Sequence, residues 1–388
     1  MASLAAVGPQ LPIPDTQVIE LMDSANPRSF DALATLLLAP PERALPDGSW
    51  FTRELEYVSN LDPKQFGSLL EQAETQRVLR RILEVLQANL RGAPQENPIA
   101  LMVESALAKE NERLERALNS LNEIVNSFQR RGLPITIMKT LDHWPDTGSD
   151  LDLLVAADAR VVREIFETDF HAVEQAQSWG DRLAHKYNFQ IPGLPELVET
   201  HVGCLGQTGE HTSLAAGVLA RRAPVTYEKY SLPVPSPEDK VVIATLQRMY
   251  RHYYIRLTDI VNIFGLMARG SLDLDRLQAI AEPASVWEGV ATLLAVVHQY
   301  ALRYGATPVA LPDNVQKATQ FSAKRTYLGR TFVRVPVLPE AANLYLRQLA
   351  GNGFRHNLRA MMRLSLLPVL ATAAFVSFRI TGNDKGVW

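Results

Sequence analysis

Two carboxylates one residue apart, Asp150 and Asp152, stand in the stretch GSDLDLLV at 148–155. Residues i and i+2 of a strand project from the same face, so an extended backbone here sets the two acids side by side. Like charges at that spacing repel, and strands are ordinarily poor in Asp. A cation held between them removes the conflict. Hard dications such as Mg²⁺ or Mn²⁺ select carboxylate oxygen and complete their shells with water and substrate phosphates. Two such ions, ~4 Å apart, clamp the attacking and leaving oxygens of a phosphoryl displacement. A site of that kind calls for a third carboxylate from a neighbouring strand. Glu199 in LVETHV (197–202) is the candidate, with His201 on the same face by strand parity. Glu196 is the competing acid. The bland alternative is a turn aspartate followed by a strand-edge aspartate, both satisfied by backbone N–H groups.

Two further groupings carry chemistry. Glu199, His201, Cys204, Glu210 and His211 offer oxygen, nitrogen and sulfur donors of the kinds Zn²⁺ accepts, though their spacing matches no closed zinc motif. Arg248, Arg251, His252 and Arg256 interleave with Tyr250, Tyr253 and Tyr254, a mixture able to stack bases and pair phosphates. The plainer reading packs the tyrosines inward and leaves the arginines in water. Asp259, three residues after Arg256, reads as a structural partner for it.

The elements that must position these residues follow from periodicity. Short helical patterns fill 15–95, including Val18–Met22 and Val78–Leu86, with turns at Pro40-Pro41, Pro46–Gly48 and Asn60–Pro63. Gly92 to Pro98 reads as a linker. A long amphipathic helix is expected over about 99–130, its apolar stripe running from Leu107 to Phe128 and Gly132 ending it. Strand patterns then appear at 134–139, 151–155, 172–174, 183–191 and 197–202, with a short helix at 160–166. Beyond the proline-rich 233–237 the chain reads as helical to its end.

Composition sets the outer bounds. The 388 residues are 47% hydrophobic and 21% charged, enough for a sizeable core. A formal net charge of −3 excludes a nucleic-acid footprint over the whole protein, though not a local basic patch. The single cysteine, Cys204, excludes an internal disulfide framework and fits a reducing compartment. The opening residues lack the pattern of a signal peptide, so the expected location is cytoplasmic. Near the end, Leu364–Phe378 is an apolar run shorter than the ~20 residues that span a bilayer. Arg355, Arg359 and Arg363 precede it at i, i+4 and i+8. On one helix they would form a basic stripe, so peripheral membrane contact is open but not favoured over a helix packed into the core.

The strand ending in Lys139, the GSDLDLLV strand and the later Glu-Thr-His strand resemble the polymerase β-like nucleotidyltransferase superfamily, and within it a largely uncharacterised bacterial branch. His252, Arg256 and Asp259, ahead of an apolar helix, are similar to a segment of the same branch. The likeness covers about 115–265. It implies an α+β fold: a small mixed-sheet nucleotidyltransferase core with large all-helical N- and C-terminal segments, divided at 1–98, 99–235 and 236–388. It also implies an enzyme that moves a nucleoside monophosphate from a nucleoside triphosphate to an acceptor, whether small molecule, protein or RNA. Asp150, Asp152 and Glu199 would then be the catalytic metal ligands. Lys139, Thr140, Gly148, Ser149 and Arg256 would face the triphosphate. Thr140 stands where the resembling branch has glycine, the residue that lets backbone approach phosphate most closely. Only Leu141–Thr147 separate it from Gly148, too few for the usual phosphate-holding helix. The alternative implied by those two departures is a nucleotide- or phosphate-binding protein of the same fold without catalysis.

Overall fold

A computed structural model describes residues 27–40, 49–90, 97–329 and 331–381. The expected helix at Val18–Met22, the turn at Pro46–Gly48 and most of the 92–98 linker lie outside the described residues. Helices α1 (Pro27–Leu38), α2 (Trp50–Ser59), α3 (Pro63–Thr75) and α4 (Leu79–Asn89) lead to α5 (Pro98–Arg130). The bounds of α5 have local causes. Asn97 accepts hydrogen bonds from the backbone N–H groups of Ile99 and Ala100, and Pro98 takes the first turn, where no intrahelical donor is needed. At the other end Gly132 adopts φ 69°, and the Leu133 N–H bonds the Phe128 carbonyl at 3.0 Å.

A five-stranded mixed sheet follows, built from β1 (Ile135–Ile137), β2 (Asp150–Val155), β3 (Val173–Glu174), β4 (Lys186–Gln190) and β5 (Leu197–Val202). Its order is β1-β2-β5-β4-β3; β2 and β5 are parallel, and the other neighbours are antiparallel. Helices α6 (Ala159–Phe170) and α7 (Trp179–Leu183) join the strands. Leu183 and Ala184, expected in a strand, instead end α7, where Ser178 caps the helix through the Asp181 N–H. After α8 (Thr212–Arg221), β6 (Ala223–Tyr227) and β7 (Tyr230–Val234) form a hairpin.

The chain beyond 237 is mostly helical: α9 (Pro237–Tyr250), α10 (Leu257–Ala268), α11 (Leu274–Ala281), α12 (Trp287–Arg303), α13 (Asp313–Ala318), α14 (Ala342–Phe354), α15 (Leu358–Leu364) and α16 (Leu367–Thr381). It is not purely helical. β8 (Tyr254–Ile255), β9 (Tyr327–Leu328) and β10 (Val333–Arg334) make a small antiparallel sheet.

Two cores meet at the large sheet. Leu151, Leu153 and Val155 of β2 pack with Leu114–Phe128 of α5 and with Phe166 and Phe189. Leu154, on the opposite face, joins a core shared by helices from both ends of the chain, among them Phe30, Leu83, Ile260 and Leu294. The α5 helix belongs to both, since Val103 and Leu107 lie in the helical core and Leu114 onward under the sheet. The sheet face that carries Asp150 and Asp152 therefore looks toward the helical body.

The C-terminal stretch departs from expectation. The turn at Arg355–Asn357 separates α14 from α15, so Arg355, Arg359 and Arg363 do not share one helical stripe. Arg355 donates to Ser285 Oγ at 3.1 Å, and Arg363 turns inward to the carbonyls of Leu183 and Thr208. The apolar run is not sunk into the core either. Leu364 and Leu370 are buried, whereas Val369 is 65% exposed and Val376 47%. Among the described residues no helix is long and apolar enough to cross a membrane.

Candidate active site

The β2–β5 register carries the site. Asp152 lies opposite Glu199, Leu154 opposite His201, and Asp150 opposite Leu197. Paired residues of parallel strands share a face, so Asp150, Asp152, Glu199 and His201 project together. Oxygen and nitrogen atoms of Asp152, Glu199 and His201 come within 4.8 Å of one another, close enough to share a metal ion. Asp150 stands on the same face just outside that set, its Oδ2 accepting from Ser149 Oγ at 3.1 Å.

The zinc grouping does not assemble. Among the described residues Cys204 and His211 are absent from the metal-capable set. Cys204 Sγ contacts the Ala184 carbonyl, and His211 Nε2 lies 3.1 Å from Gln348 Nε2. Glu196 is spoken for by Arg113 and Arg116, both at 3.4 Å.

Lys139 enters the acidic cluster itself. Beyond the end of β1 it adopts φ 61°, which turns its side chain across the strands. Its ammonium donates to Asp152 Oδ1 at 2.6 Å and Glu199 Oε1 at 3.0 Å, and lies 3.3 Å from His201 Nε2. From β4, Lys186 donates to Glu199 Oε2 at 2.8 Å and pairs with Asp181 at 2.9 Å. Sequence reading missed Lys186; its parity with Asn188 and its pairing opposite His201 put it on the site face.

These charges set one another's protonation. Burial opposes the charged form of Glu199, but Lys139, Lys186 and His201 outweigh it and hold the carboxyl well below its usual range. Burial, reinforced by the charge of Glu199, pushes Asp152 up. Asp150 is raised for the same two reasons. Burial and then Lys139 bring His201 down to about 4, so its imidazole is neutral near pH 7 and able to act as a metal ligand.

Thr140 has a structural task. It is fully buried; its hydroxyl donates to the Asp150 carbonyl at 3.1 Å and accepts from the Asp152 N–H at 2.7 Å. Those two bonds continue the β1–β2 pairing after the backbone turns away at Lys139, and they fix the strand segment bearing both aspartates. The segment from Lys139 to Asp146 runs as successive turns, with Asp142 N–H on the Lys139 carbonyl and Asp146 N–H on that of His143. Gly148 sits so close that an added Cβ would meet the Asp150 carbonyl at 3.2 Å, and Arg113 donates to the Gly148 carbonyl at 2.6 Å.

The tyrosine–arginine grouping splits. Tyr250 and Tyr254 are buried as the plainer reading expects, but Arg248 is buried with them and pairs with Asp259 at 2.7 Å. Asp259 also accepts the Arg256 backbone N–H at 2.7 Å and so caps α10. The Arg256 guanidinium lies over the Tyr254 and Phe332 rings. A cleft opens beside Lys139 and His201, walled by Gln207, Gln247, Tyr250 and Arg251.

The model of the uncharacterised nucleotidyltransferase family matches residues 62–301, well over half of the chain. The chain belongs to that family. The match begins at Asp62, the residue that caps α3, so the family unit takes in α3 and α4 as well as the sheet. It is wider than the 115–265 over which individual residues show the likeness. No curated protein matches the chain. Membership of a nucleotidyltransferase family points to nucleotidyl transfer, and the Asp152–Glu199–His201 set is able to hold a metal ion.

Proposed function

We propose that this chain is a metal-dependent nucleotidyltransferase of the polymerase β-like kind, moving a nucleoside monophosphate from a nucleoside triphosphate to an acceptor. The observation that carries the reading is the register of Asp152 against Glu199 across parallel strands, with Asp150 one step along the same face. The donor set suits Mg²⁺ or Mn²⁺: carboxylate oxygens supply the hard ligands, and neutral His201 can add a nitrogen. When bound, such ions supply charge neutralisation at the phosphorus and both flanking oxygens. The chain's own groups do the rest. Asp150, Asp152 and Glu199 hold the ions, and Thr140 holds the strand that presents them. Lys139 balances the carboxylates beforehand and faces the phosphates afterwards, alongside Arg256 and the Gly148–Ser149 turn. The cleft at Gln207 and Tyr250 receives the acceptor. The reaction belongs in the cytoplasm, where triphosphates and Mg²⁺ are plentiful.

One observation favours the second reading, a phosphate-binding protein without catalysis. Lys139 already fills the acidic set with a hydrogen-bonded ammonium. Incubation with each α-labelled triphosphate and Mg²⁺ or Mn²⁺, with and without cell extract, separates the two. Labelled product that disappears in Asp152→Asn supports transfer. Metal-dependent triphosphate binding without product under any condition supports the second reading.

A further inference from the structure

We infer that Arg77, in the turn between α3 and α4, is a polyphosphate-binding residue, so that the N-terminal helices build one wall of the donor site. The inference rests on the nucleotidyl-transfer reading and extends it to a ligand contact from a distant part of the chain.

The turn and the start of α4 are fastened to two other parts of the chain, the start of α10 and the segment that leads into β2. Gln76 is fully buried; it accepts from the Leu257 N–H at 2.7 Å and donates to the Thr331 carbonyl, and its own carbonyl takes the Thr258 N–H. Those bonds seat Arg77 beside the start of α10, whose N-cap position is Arg256. On the other side, Arg80 N–H and the Arg81 guanidinium hold Asp146, at 2.7 and 3.2 Å. Arg81 also donates to the carbonyls of His143 and Trp144, in the segment that leads into β2. From α5, Arg113 donates to the Gly148 carbonyl.

Within this frame Arg77 is half-buried, and no hydrogen bond or ion pair joins its guanidinium to another described residue. Its backbone adopts φ 56°, a conformation that a side chain makes costly and that the Gln76 bonds enforce. Burial, Arg256 and Arg113 together push its pKa down to about 10, partly relieved by Glu74 and Asp150. Burial first, and then the charges of Arg248, Arg256, Arg81 and Arg77, drive His143 well below its usual range. Arg81, Arg113 and Arg248 have acids in Asp146, Glu196 and Asp259, whereas no acid is paired with Arg77 among the described residues. A partly buried cation of that kind costs stability unless an anion completes it. A metal-bound polyphosphate is the fitting anion. Its metal-facing oxygens would lie on the acidic strands, and its outer oxygens would meet planar guanidinium donors that grip phosphate bidentately.

The test uses the full chain and inorganic tripolyphosphate with Mn²⁺, which removes base and acceptor from the measurement. Arg77→Gln is expected to weaken tripolyphosphate binding at least tenfold, leave Mn²⁺ binding unchanged, and keep or raise the metal-free melting temperature. Arg77→Lys should fall between the two. Arg130→Gln, an equal charge change at an exposed helix end, should bind within twofold of wild type. Tripolyphosphate binding within twofold of wild type in Arg77→Gln overturns the inference, as does a loss that follows a lowered melting temperature. Wild-type protein that binds Mn²⁺ but no tripolyphosphate overturns it too. A weakened Arg77→Gln in a protein that transfers no nucleotide leaves the inference standing and removes catalysis alone.

Discussion

Lys139 Nζ lies 2.6 Å from Asp152 Oδ1 and 3.0 Å from Glu199 Oε1, in the space that a cation shared by those carboxylates would take. The lysine and a dication therefore compete for one position. Burial opposes the ammonium, but the two carboxylates more than offset that and raise its pKa, so it stays charged without metal. Lys139→Met should lower the metal-free melting temperature, because removing one partner from a buried ion network costs roughly 3 kcal/mol or more. Mn²⁺ should restore that loss and bind the variant more tightly than wild type. Thermal denaturation across a Mn²⁺ titration measures both. A variant destabilised at every metal concentration would make the cluster a lysine-neutralised structural network.

Thr140 is expected to matter through its hydroxyl. Thr140→Val keeps the shape and leaves the Asp150 carbonyl and the Asp152 N–H without their bonds, at a cost of roughly 1–3 kcal/mol. Thr140→Ser should retain most of the stability and all of the metal affinity. Urea unfolding and Mn²⁺ titration of the pair check this. Equal behaviour of the two variants would show that only volume counts at this position.

The parts legible in the sequence were those with local causes. The α5 helix shows its stripe and its Gly132 stop within a single window. The facing of Asp150, Asp152, Glu199 and His201 follows from strand parity. What stayed hidden depends on distant partners or unusual backbone. Lys139 looks like a strand-end lysine, and only its positive φ swings it into the cluster. The 223–234 hairpin carries Pro224 and Pro233, which read as breakers, yet they pair opposite each other. Arg77 looks like an ordinary helix-end arginine until Gln76 fastens its turn to α10. Arg355 and Arg363 suit a basic stripe until a break between two helices sends them in different directions.

Acid stability should depend on Asp169, which accepts two hydrogen bonds from Arg131 at 2.8 and 2.9 Å and ties the end of α5 to α6. Those bonds, with Ser127, hold its carboxyl down at about 2, against 3.8 for a free aspartate. A depressed carboxyl stabilises the fold fully above the unfolded value and loses that contribution as pH falls from about 4 through 2. Asp169→Asn should therefore flatten the acid limb of the stability curve in that window. Urea midpoints at pH 7, 4 and 2.5 for both proteins would show it. Parallel curves would remove Arg131–Asp169 from the acid response.

Asp152→Asn isolates the metal. Without metal, Asp152 faces the Lys139 ammonium as well as Glu199, so its removal takes away an attraction along with a repulsion. Asparagine keeps an oxygen for the Lys139 ammonium but exchanges an ion pair for a hydrogen bond to an uncharged acceptor, a loss of about 1 kcal/mol. The fold should survive. Metal affinity should not, since the amide supplies neither the charge nor the second anionic oxygen that a hard dication selects. Mn²⁺ binding at least tenfold weaker, with a melting temperature only a few degrees lower, is the expected pair of results. Unchanged Mn²⁺ binding with a large fall in melting temperature would make Asp152 a structural acid and move the metal site elsewhere.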